Sequence, residues 1–503
     1  MPSGWFFSNT CFILLIIEPS ESGKITKTDI VVGQASDIVT LDPAGQQDTT
    51  SGVLMKHAYS TLLDVDNEGK VVPDLAESYE MKSDTEYVFK LREDACFWDG
   101  TPVTAQDVKF SLDRAKGMPK TKSNTSKIEE VTVNGDHEVT IKLTEPYAAF
   151  KTIVTQHNLS ILSEKAVTEA GDSYGDVDNL LGSGPFKVTE WVPNDHYTLV
   201  RNDNYWGEMP IATSITCRVI PEGSARTIAL EAGEIDVVWS VDPTDCANVE
   251  SNPDVKLLSQ PSTGIDYVGM NTQKEKFSDK RVRQAINYAL DKQTFVDTII
   301  EGRGLVANSY INAAIPGWTD EVEAYPYDPE KAKELLAEAG YPDGFECSIF
   351  VNGDLRTRSA QILQAQLADV GIKVDISTYE WGALLDTLNA GEHEMFLLGW
   401  SNTSFDPDGS TYQLFYSGNH GATGNRAFFS NDKVDELILS AQRESEESKR
   451  MELYKELQFV LHEESPWCPL YYKENNVGVR ADLKGFTLHA GAQHYLGNCH
   501  YEE

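Results

Sequence analysis

The chain has 503 residues, of which 40% are hydrophobic and 24% are charged. A chain of this length exceeds what one hydrophobic core usually organises, so two or three lobes are expected. Its 79 acidic residues against 42 basic ones give a formal net charge of -37. Such a charge repels nucleic acid and anionic lipid, which argues against a nucleic-acid-binding protein.

Segment 1–28 is predicted to be an apolar targeting-like sequence followed by a linker. Its apolar stretch, 5–17, is too short for a comfortable transmembrane helix but has the length of a signal-peptide core. Lys24 is the first basic residue, so the positive segment that usually precedes such a core is missing. Cys11 is a candidate for lipidation, although it lies inside the apolar stretch. We therefore expect an extracytoplasmic protein, in the periplasm or at the outer face of the cell membrane.

The elements predicted between 29 and 182 are short and mostly local. In chain order they are a strand at 29–36, a turn-rich loop at 41–52, a helix at 51–62, a hairpin turn at 67–69, a strand at 85–93, a helix at 107–116 and two strands within 128–143. Thr104 and Asp107 form a capping-box pattern before the second helix. Asn134-Gly135 is a strong hairpin signal. Residues 61–182 are therefore predicted to form a separate α+β domain.

Longer elements are predicted in the rest of the chain. They are strands at 181–191, 196–202, 213–220, 234–240 and 266–272, a helix at 279–300, a helix from Asp328-Pro329 to Gly340, a strand at 346–351, a helix at 358–371, a strand at 372–378, a helix at 380–392, a strand at 394–400, a helical region at 432–463 and a strand at 467–479. Strands that alternate with helices of this length imply a parallel sheet.

The apolar strand at 394–400 runs directly into a loop with aromatic and acidic side chains. In open α/β sheets, ligands gather just beyond the carboxyl ends of such strands. Three aromatic residues, Tyr379, Trp381 and Trp400, lie at adjacent strand ends or loops within 25 residues, where small-ligand pockets are commonly lined. This part of the sequence therefore predicts a binding wall.

Several catalytic or metal-binding patterns are incomplete. Segment 64–77 begins like a calcium loop, but its twelfth position is Leu75 rather than glutamate. The two His-Glu pairs at 393 and 462 lack the second histidine of a metalloprotease, and the seven cysteines show no zinc-site spacing. Residues 182–184 lack the flanking spacing of a nucleophile elbow and indicate a tight chain crossing. No metal or cofactor is expected.

Asp406 and Asp408 leave one enzymatic alternative open, since glycosidases use a pair of carboxylates. Pro407 between them favours a turn instead. A set of nucleophile, base and orienting group cannot be assembled from the sequence, so the chain is not expected to be an enzyme.

Four stretches resemble one known family, the solute-binding proteins of peptide-type ABC transporters. They are 71–116, 181–191, 277–297 and 379–408, and the similarity extends from about residue 29 to the end of the chain. The family includes dipeptide-, oligopeptide-, glutathione- and nickel-binding receptors. The resemblance implies export, delivery of a ligand to a membrane permease, a monomer, and no catalysis.

The resemblance also implies a two-lobed α/β fold of the periplasmic-binding-protein type, with a hinge and an additional α+β domain. Lobe I would comprise 29–60, 183–264 and 470–503, the added domain 61–182, and lobe II 265–469. The chain would cross between the lobes near 263–266 and 467–471. Closure about this hinge would trap the ligand between the lobes.

Comparison with dipeptide-type members gives a mixed prediction for the ligand. Their aspartate that pairs with the ligand amine, three residues after the tryptophan, corresponds to Thr403 here. Their arginine that holds the ligand carboxylate corresponds to Phe350. Arg356 and Arg358 are candidates to replace it. The acids at 406 and 408 instead resemble the glutathione-type pattern.

The predicted ligand contacts come from both lobes. Backbone groups at 399–402 would bind an extended peptide as an added strand does, with two tryptophans excluding water and an acid pairing with the ligand amine. The candidate ligand-binding residues are Gln46, Asp48, Trp381, Gly399, Trp400, Asn402, Thr403, Phe405, Asp406 and Asp408.

The sequence therefore predicts an extracytoplasmic receptor of an ABC importer for short peptides or peptide-like amines. The alternatives are the same fold with a sugar, an opine or a metal chelate as ligand, a signalling receptor, and a hydrolase that uses Asp406 and Asp408.

Overall fold

The structure is a computed structural model that describes residues 24–503. The predicted signal core and Cys11 lie outside the described residues. Within 24–503, no helix combines the length and the apolarity that crossing a membrane requires.

The described residues form nineteen strands and sixteen α-helices. The strands are β1 (Ile25–Lys27), β2 (Asp29–Gln34), β3 (Leu63–Val65), β4 (Val71–Pro73), β5 (Ala76–Ser83), β6 (Glu86–Leu91), β7 (Ile128–Val133), β8 (Glu138–Leu143), β9 (Phe186–Val192), β10 (His196–Arg201), β11 (Ser214–Val219), β12 (Val237–Val238), β13 (Val255–Met270), β14 (Gly304–Val306), β15 (Phe345–Val351), β16 (Ile372–Thr378), β17 (Met395–Ser401), β18 (Trp467–Arg480) and β19 (Tyr501–Glu502).

The helices are α1 (Thr49–Ala58), α2 (Ala105–Lys116), α3 (Lys122–Thr125), α4 (Phe150–Ile153), α5 (Glu164–Ala170), α6 (Gly223–Glu231), α7 (Pro243–Ser251), α8 (Glu275–Ser278), α9 (Lys280–Ala289), α10 (Lys292–Thr298), α11 (Pro329–Glu338), α12 (Gly353–Ala368), α13 (Trp381–Asn389), α14 (Asp408–Phe415), α15 (Asp432–Arg443) and α16 (Glu447–Glu464).

One mixed sheet of eleven strands runs through both lobes. Its order is β16-β15-β17-β13-β18-β12-β2-β11-β10-β9, with β14 paired to β18. As predicted, β15 is parallel to both β16 and β17. Towards the other end of the strand order, β2 is parallel to β11 and β12.

The two longest strands, β13 and β18, join the lobes. They pair antiparallel from Val255 opposite Arg480 to Gly269 opposite Trp467, and their register breaks between Pro261 and Ile265. Before the break the pair lies next to β12, and after it next to β17. The break coincides with the crossing expected near 263–266, and its partner positions in β18 lie at 472–474. The two strands therefore provide a direct connection about which the lobes can move.

Residues 61–182 have a sheet and a core of their own. The antiparallel sheet has the order β5-β6-β8-β7, and α2 begins with the predicted capping box of Thr104 and Asp107. Buried aromatic and aliphatic side chains such as Phe89, Val108 and Phe150 fill the space between sheet and helices. The added domain thus has the α+β organisation expected from the sequence.

The helix predicted at 279–300 is in fact two helices, α9 and α10. Leu290 is extended, and Asp291 caps α10 by accepting a hydrogen bond from the Gln293 amide at 3.2 Å. Val282, Ile286 and Leu290 form the predicted buried stripe. Because both helices bury their apolar residues in the same core, the apolar spacing alone did not indicate the break.

The segment 182–184 is the tight chain crossing that the sequence indicated. A Cβ on Gly182 would lie 2.1 Å from the carbonyl oxygen of Ala58, and one on Gly184 would lie 2.5 Å from the Ala58 carbonyl carbon. Ser183 Oγ accepts a hydrogen bond from the Ser60 amide at 3.2 Å. The crossing fixes the end of α1, and its serine has a structural partner.

Candidate ligand-binding cleft

A cleft between lobe I and lobe II consists of two connected cavities. The inner cavity has a volume of about 340 Å³ and the outer cavity about 1010 Å³. Arg356, Trp381 and Lys473 line both, so the two form one continuous space. Lys473 lies at the register break of β18. The cleft therefore lies next to the strands that connect the lobes.

Six of the ten predicted ligand-binding residues line the inner cavity, two from lobe I and four from lobe II. They are Gln46, Asp48, Trp381, Gly399, Trp400 and Thr403.

The lobe I residues are held in place by the start of α1. Asp48 accepts a hydrogen bond from the Ser51 amide at 3.0 Å and caps the helix. Gln46 Oε1 accepts one from the Asp48 amide at 3.1 Å. The helix therefore begins at Thr49, two residues before its predicted start, and Asp48 is presented to the cavity.

The carboxyl end of β17 leaves a strand edge towards the cavity. On one side, Gly399, Trp400 and Ser401 pair with β13. On the other side, β15 pairs with β17 only at Met395 and Phe396. Within residues 24–503, no strand covers the second edge of 398–401, and all four of these residues line the inner cavity. An extended ligand backbone can pair with such an edge.

Two tryptophans line the inner cavity together with this edge, and one of them, Trp400, belongs to the edge itself. Trp400 Nε1 donates a hydrogen bond to the Gly409 carbonyl at 2.9 Å, which fixes its ring. Trp381, the first residue of α13, lies 5.9 Å from the Arg356 guanidinium and has no hydrogen-bond partner for Nε1 among the described residues. Its indole N–H lies close enough to Asp48 to lower the pKa of that carboxyl group, so the two groups face each other at the cavity.

Thr403 connects lobe II to the added domain. Its hydroxyl donates a hydrogen bond to Gln156 Oε1 at 2.8 Å. Gln156, His157 and Asn158 all line the inner cavity. Burial lowers the pKa of His157 to about 3, so this imidazole is neutral. The added domain therefore contributes uncharged polar groups to the inner cavity and the ammonium group of Lys120 to the outer cavity.

Asp406 and Asp408 do not line either cavity, which corrects the expectation that one of them pairs with a ligand amine. Asp406 accepts two hydrogen bonds from Arg450. Asp408 accepts one from Tyr147 at 2.5 Å and one from Gln442 at 2.9 Å. Both carboxylates are buried behind the loop and already have partners. A hydrolase built on this pair has no support from the geometry.

Asn402 and Phe405 also line neither cavity. Asn402 is buried, and its Nδ2 donates hydrogen bonds to the Asp406 carbonyl and to Ser410 Oγ, each at 2.7 Å. Phe405 packs against Gly69 of the added domain and against the His489 ring of lobe I. These two residues shape and anchor the loop and line neither cavity, which corrects the expectation that they contact the ligand.

A model of the family described as "Bacterial extracellular solute-binding proteins, family 5 Middle" matches residues 70–422. The chain belongs to this family. It is similar to the glutathione-binding protein GsiB of Shigella boydii serotype 4 (strain Sb227), with 32% identity over 479 residues that cover 92% of each chain. The family membership confirms the resemblance found in the sequence.

Two solved structures show how closely the fold is shared. The periplasmic binding protein DppA from Helicobacter pylori, in complex with the peptide STSA, matches with a TM-score of 0.90 and 28% identity, covering 95% of this chain and 99% of its own. AgaA from A. tumefaciens R10, in complex with agropinic acid, matches with a TM-score of 0.88 and 26% identity, covering 94% and 99%. The predicted two-lobed fold of the periplasmic-binding-protein type is confirmed.

In this family 5 protein, the two arginines proposed as carboxylate anchors have different surroundings. Arg356 lines both cavities and lies 3.9 Å from Asp266. Arg358 instead pairs with Asp242 of lobe I at 2.6 Å. Phe350 packs against the Tyr379 ring at 4.9 Å and lines neither cavity. Of these candidates, Arg356 is the one placed to meet a ligand.

Arg426 is the main cleft residue that the sequence did not indicate. It lines the inner cavity, is 5% exposed, and donates a hydrogen bond from Nε to Asn389 at 3.0 Å. It belongs to no motif, and it follows a series of short turns rather than a predictable strand. Lys473, within the predicted strand 467–479, was also missed, because a lysine there looks like an ordinary surface residue.

The described residues do not suggest a metal centre. Within 24–503, no group of three or more His, Cys, Asp or Glu side chains is arranged to hold a metal ion.

Proposed function

We propose that this protein is the extracytoplasmic receptor of an ABC importer, which captures short peptides or peptide-like amines between its lobes and delivers them to a membrane permease. The observation that carries the proposal is the strand edge at 398–401, which opens into an inter-lobe cavity that Trp381 also lines.

The strand edge favours a ligand with a peptide backbone. Peptides that add to a sheet edge gain main-chain hydrogen bonds whatever their side chains. Trp381 and Trp400 cover apolar parts of the ligand and exclude water, which strengthens those bonds. The inner cavity of about 340 Å³ falls within the range of roughly 300–1,000 Å³ that is usual for small-ligand pockets.

The fold by itself does not select the ligand, since DppA and AgaA match this chain almost equally well while their ligands differ. Two further observations favour peptides. One is the open strand edge, and the other is the similarity to a glutathione-binding protein over 92% of the chain. A receptor for a sugar, an opine or a metal chelate is the alternative that the experiment below separates.

The arrangement of the lobes supports capture by closure. Thr403 of lobe II contacts Gln156 of the added domain, and Arg358 of lobe II pairs with Asp242 of lobe I across the cleft. A ligand that touches both sides binds the closed arrangement better than the open one and shifts the population towards it.

A thermal-shift screen tests the ligand class. Peptides of two to six residues, glutathione, sugars and metal chelates are added at increasing concentration. A true ligand stabilises the folded protein by RT ln(1 + [L]/Kd), about 2.7 kcal/mol at a hundredfold excess over Kd. Stabilisation by peptides is expected; a response to a sugar, with none to any peptide, would overturn the proposal.

A matched pair of variants locates the site. Trp381→Ala is expected to weaken peptide binding by about tenfold or more, because it removes a large apolar contact in the cleft. Trp318→Ala removes a partly buried tryptophan of lobe II that lines neither cavity, and its affinity should stay within about twofold of wild type. Equal losses in both variants, measured calorimetrically on folded protein, would contradict the location.

Transport, oligomeric state and attachment follow from the same proposal. We propose a monomer, since one chain supplies both sides of the cleft, and light scattering of the purified protein checks this.

Ligand-loaded protein is expected to stimulate ATP hydrolysis by a permease and ATPase encoded beside its gene. Stimulation of a signalling sensor instead would favour the signalling alternative. Lipid attachment at Cys11 remains a proposal that the intact mass of the exported protein tests.

A further inference from the structure

The inner cavity has a charge opposite to that of the protein as a whole. The chain carries a formal net charge of -37. Four charged side chains line the inner cavity, the acid Asp48 and the bases Arg356, Arg426 and Lys473. Lys473 is neutralised by Asp266, which lies 2.7 Å from its Nζ. One carboxylate and two guanidinium groups remain for a ligand.

Asp48 has one oxygen without a partner. Its Oδ1 accepts the capping hydrogen bond from Ser51, while Oδ2 is shielded from solvent and has no hydrogen-bond partner among residues 24–503. Burial raises the pKa of this carboxyl group, while the hydrogen bonds from Ser51, the nearby Lys120 ammonium and the indole N–H of Trp381 counteract the effect. A buried oxygen of this kind is costly unless a donor reaches it. A ligand ammonium supplies such a donor.

Arg426 faces Asp48 from the other lobe. Its Nε is engaged by Asn389, and its two terminal nitrogens make no hydrogen bond with the residues that the structure describes. Burial lowers the pKa of this guanidinium, and Tyr267 and the carboxylate of Asp48 partly offset the effect. The Nη pair is therefore available to hold a carboxylate in the bidentate geometry that arginine favours.

Arg356 offers a second position for a carboxylate. Its guanidinium lies over the Trp381 ring at 5.9 Å, and its Nε has no hydrogen-bond partner within 24–503. Its ion pair with Asp266 is long, at 3.9 Å, compared with the 2.7 Å of Lys473. Arg356 is thus only partly neutralised by the protein.

We infer that the cleft recognises a short peptide with one ammonium group and two carboxylates, with Asp48 of lobe I binding the ammonium group and Arg426 and Arg356 of lobe II binding the carboxylates. This inference rests on the proposed function and specifies its substrate class. Dipeptide-type members have an aspartate for the ligand amine at the position of Thr403. In this chain Asp48 takes that role from the opposite lobe. A ligand whose two charge types bind different lobes joins them directly, so recognition of its charges favours closure.

Titration calorimetry of the full chain with four probes tests the inference. Glutathione has one ammonium and two carboxylates, N-acetyl-glutathione lacks the ammonium, tri-alanine has one carboxylate, and tri-lysine is cationic. Wild type is expected to prefer glutathione over each of the others by about 10- to 100-fold, the value of one or more charge-assisted hydrogen bonds.

Two variants assign the charges to residues. Asp48→Asn keeps a good helix cap and should remove the preference for glutathione over its N-acetyl form. Arg426→Gln should reduce the preference for glutathione over tri-alanine, and Arg426→Lys keeps the charge and provides a second test if the glutamine variant folds poorly. Asp375→Asn, on the exposed face of β16, and Arg218→Gln, on the exposed part of β11, line neither cavity, are the matched controls and should behave as wild type.

These experiments distinguish a failure of the charge assignment from a failure of the proposed function. If wild type binds tri-alanine as tightly as glutathione, or if Asp48→Asn keeps its preference for the free amine, the charge assignment is wrong while the peptide receptor stands. If none of the peptide probes binds at any concentration and a sugar does, both proposals fail. Loss of the amine preference in Asp48→Asn alone supports the inference.

Discussion

The guanidinium of Arg450 donates two hydrogen bonds to the carboxylate of Asp406, at 2.5 and 2.9 Å. Their side chains are only 6% and 11% exposed. Arg450 lies on α16, so this helix holds the loop after β17 from behind, on the side away from the cleft. The pair therefore stabilises the wall of the binding site without touching the ligand.

Replacement of Arg450 by methionine is expected to lower the free energy of unfolding by about 3–5 kcal/mol, because it leaves the Asp406 carboxylate buried without its cation. Urea unfolding measures the loss. Lys449→Met is the matched control on the same helix, where the ion pair with Glu446 is exposed and the change should stay within about 0.5 kcal/mol. An Arg450 variant that is as stable as wild type but binds ligand poorly would show that the pair acts on the ligand instead.

The same loop shows what the sequence can and cannot predict. Its family resemblance and its start at the end of a buried strand were predictable, because both depend on local patterns. The directions of Asp406 and Asp408 were not, since their partners Arg450, Tyr147 and Gln442 are far away in the sequence. From the sequence alone, a buried arginine on a long charged helix cannot be distinguished from an exposed one, because the packing of that helix is not known.

The ion pair between Arg358 and Asp242 joins lobe II to lobe I, with Nη2 and Oδ2 separated by 2.6 Å. Arg358→Ala should raise the Kd for ligand by about two- to fivefold, mainly through faster dissociation, since a partly exposed pair contributes about 0.2–1 kcal/mol to the closed state. Asp242→Asn, which keeps a cap on α7, should have a similar effect, and the double variant should add little to either. Stopped-flow kinetics measures the rates.

Lys373→Ala is the control for the ion pair between Arg358 and Asp242. Lys373 pairs with Glu346 inside lobe II, and both side chains are about three-quarters exposed, at 76% and 75%. Its removal should leave ligand kinetics unchanged. If Arg358→Ala and Lys373→Ala behave alike, or if the effects of Arg358→Ala and Asp242→Asn are additive, the Arg358–Asp242 pair does not stabilise closure.

Local rules predicted other parts of the fold well. The capping box of Thr104 and Asp107, the hairpin at Asn134-Gly135 and the strands from 346 to 400 follow from neighbouring residues alone. Arg426 could not be identified in this way. It lines the inner cavity opposite Asp48, which lies in a loop almost four hundred residues earlier in the sequence. Residues that make a cleft between lobes are brought together only by the tertiary structure.

The burial of Asp408 predicts a specific dependence of stability on pH. Burial and the nearby Asp406 raise its pKa from 3.8 to about 6. The folded state therefore binds this proton more tightly than the unfolded state, and its contribution to stability increases as the pH falls from 7 towards 4. Relative to Asp408→Asn, wild type should gain about 1.3 kcal/mol between pH 7 and pH 5.

Comparison with Asp408→Asn is needed because buried histidines act in the opposite direction. Burial lowers the pKa of His157 to about 3 and that of His494 to about 3. The unfolded state binds these protons more tightly, so their contribution to stability is lost as the pH falls below about 6.5. Urea unfolding at pH 7, 6 and 5 separates the two effects. Parallel pH profiles of wild type and Asp408→Asn would contradict the assignment to Asp408.

Gly184 supports lobe I by letting two chain segments come into contact. A Cβ at this position would lie 2.5 Å from the Ala58 carbonyl carbon and 2.6 Å from the Tyr59 nitrogen, and backbone atoms of this kind cannot move aside like a flexible side chain. Gly184→Ala is therefore expected to destabilise the protein by about 1–3 kcal/mol, the usual cost of overpacking.

Gly382→Ala is the control, because nothing lies within 4 Å of its Cβ position and α13 is regular there. That substitution should be neutral or stabilise by up to about 1 kcal/mol, since it reduces the freedom of the unfolded chain. Thermal unfolding of both variants measures the difference, and equal stability would mean that the contact between the segment 182–184 and the end of α1 is loose in solution.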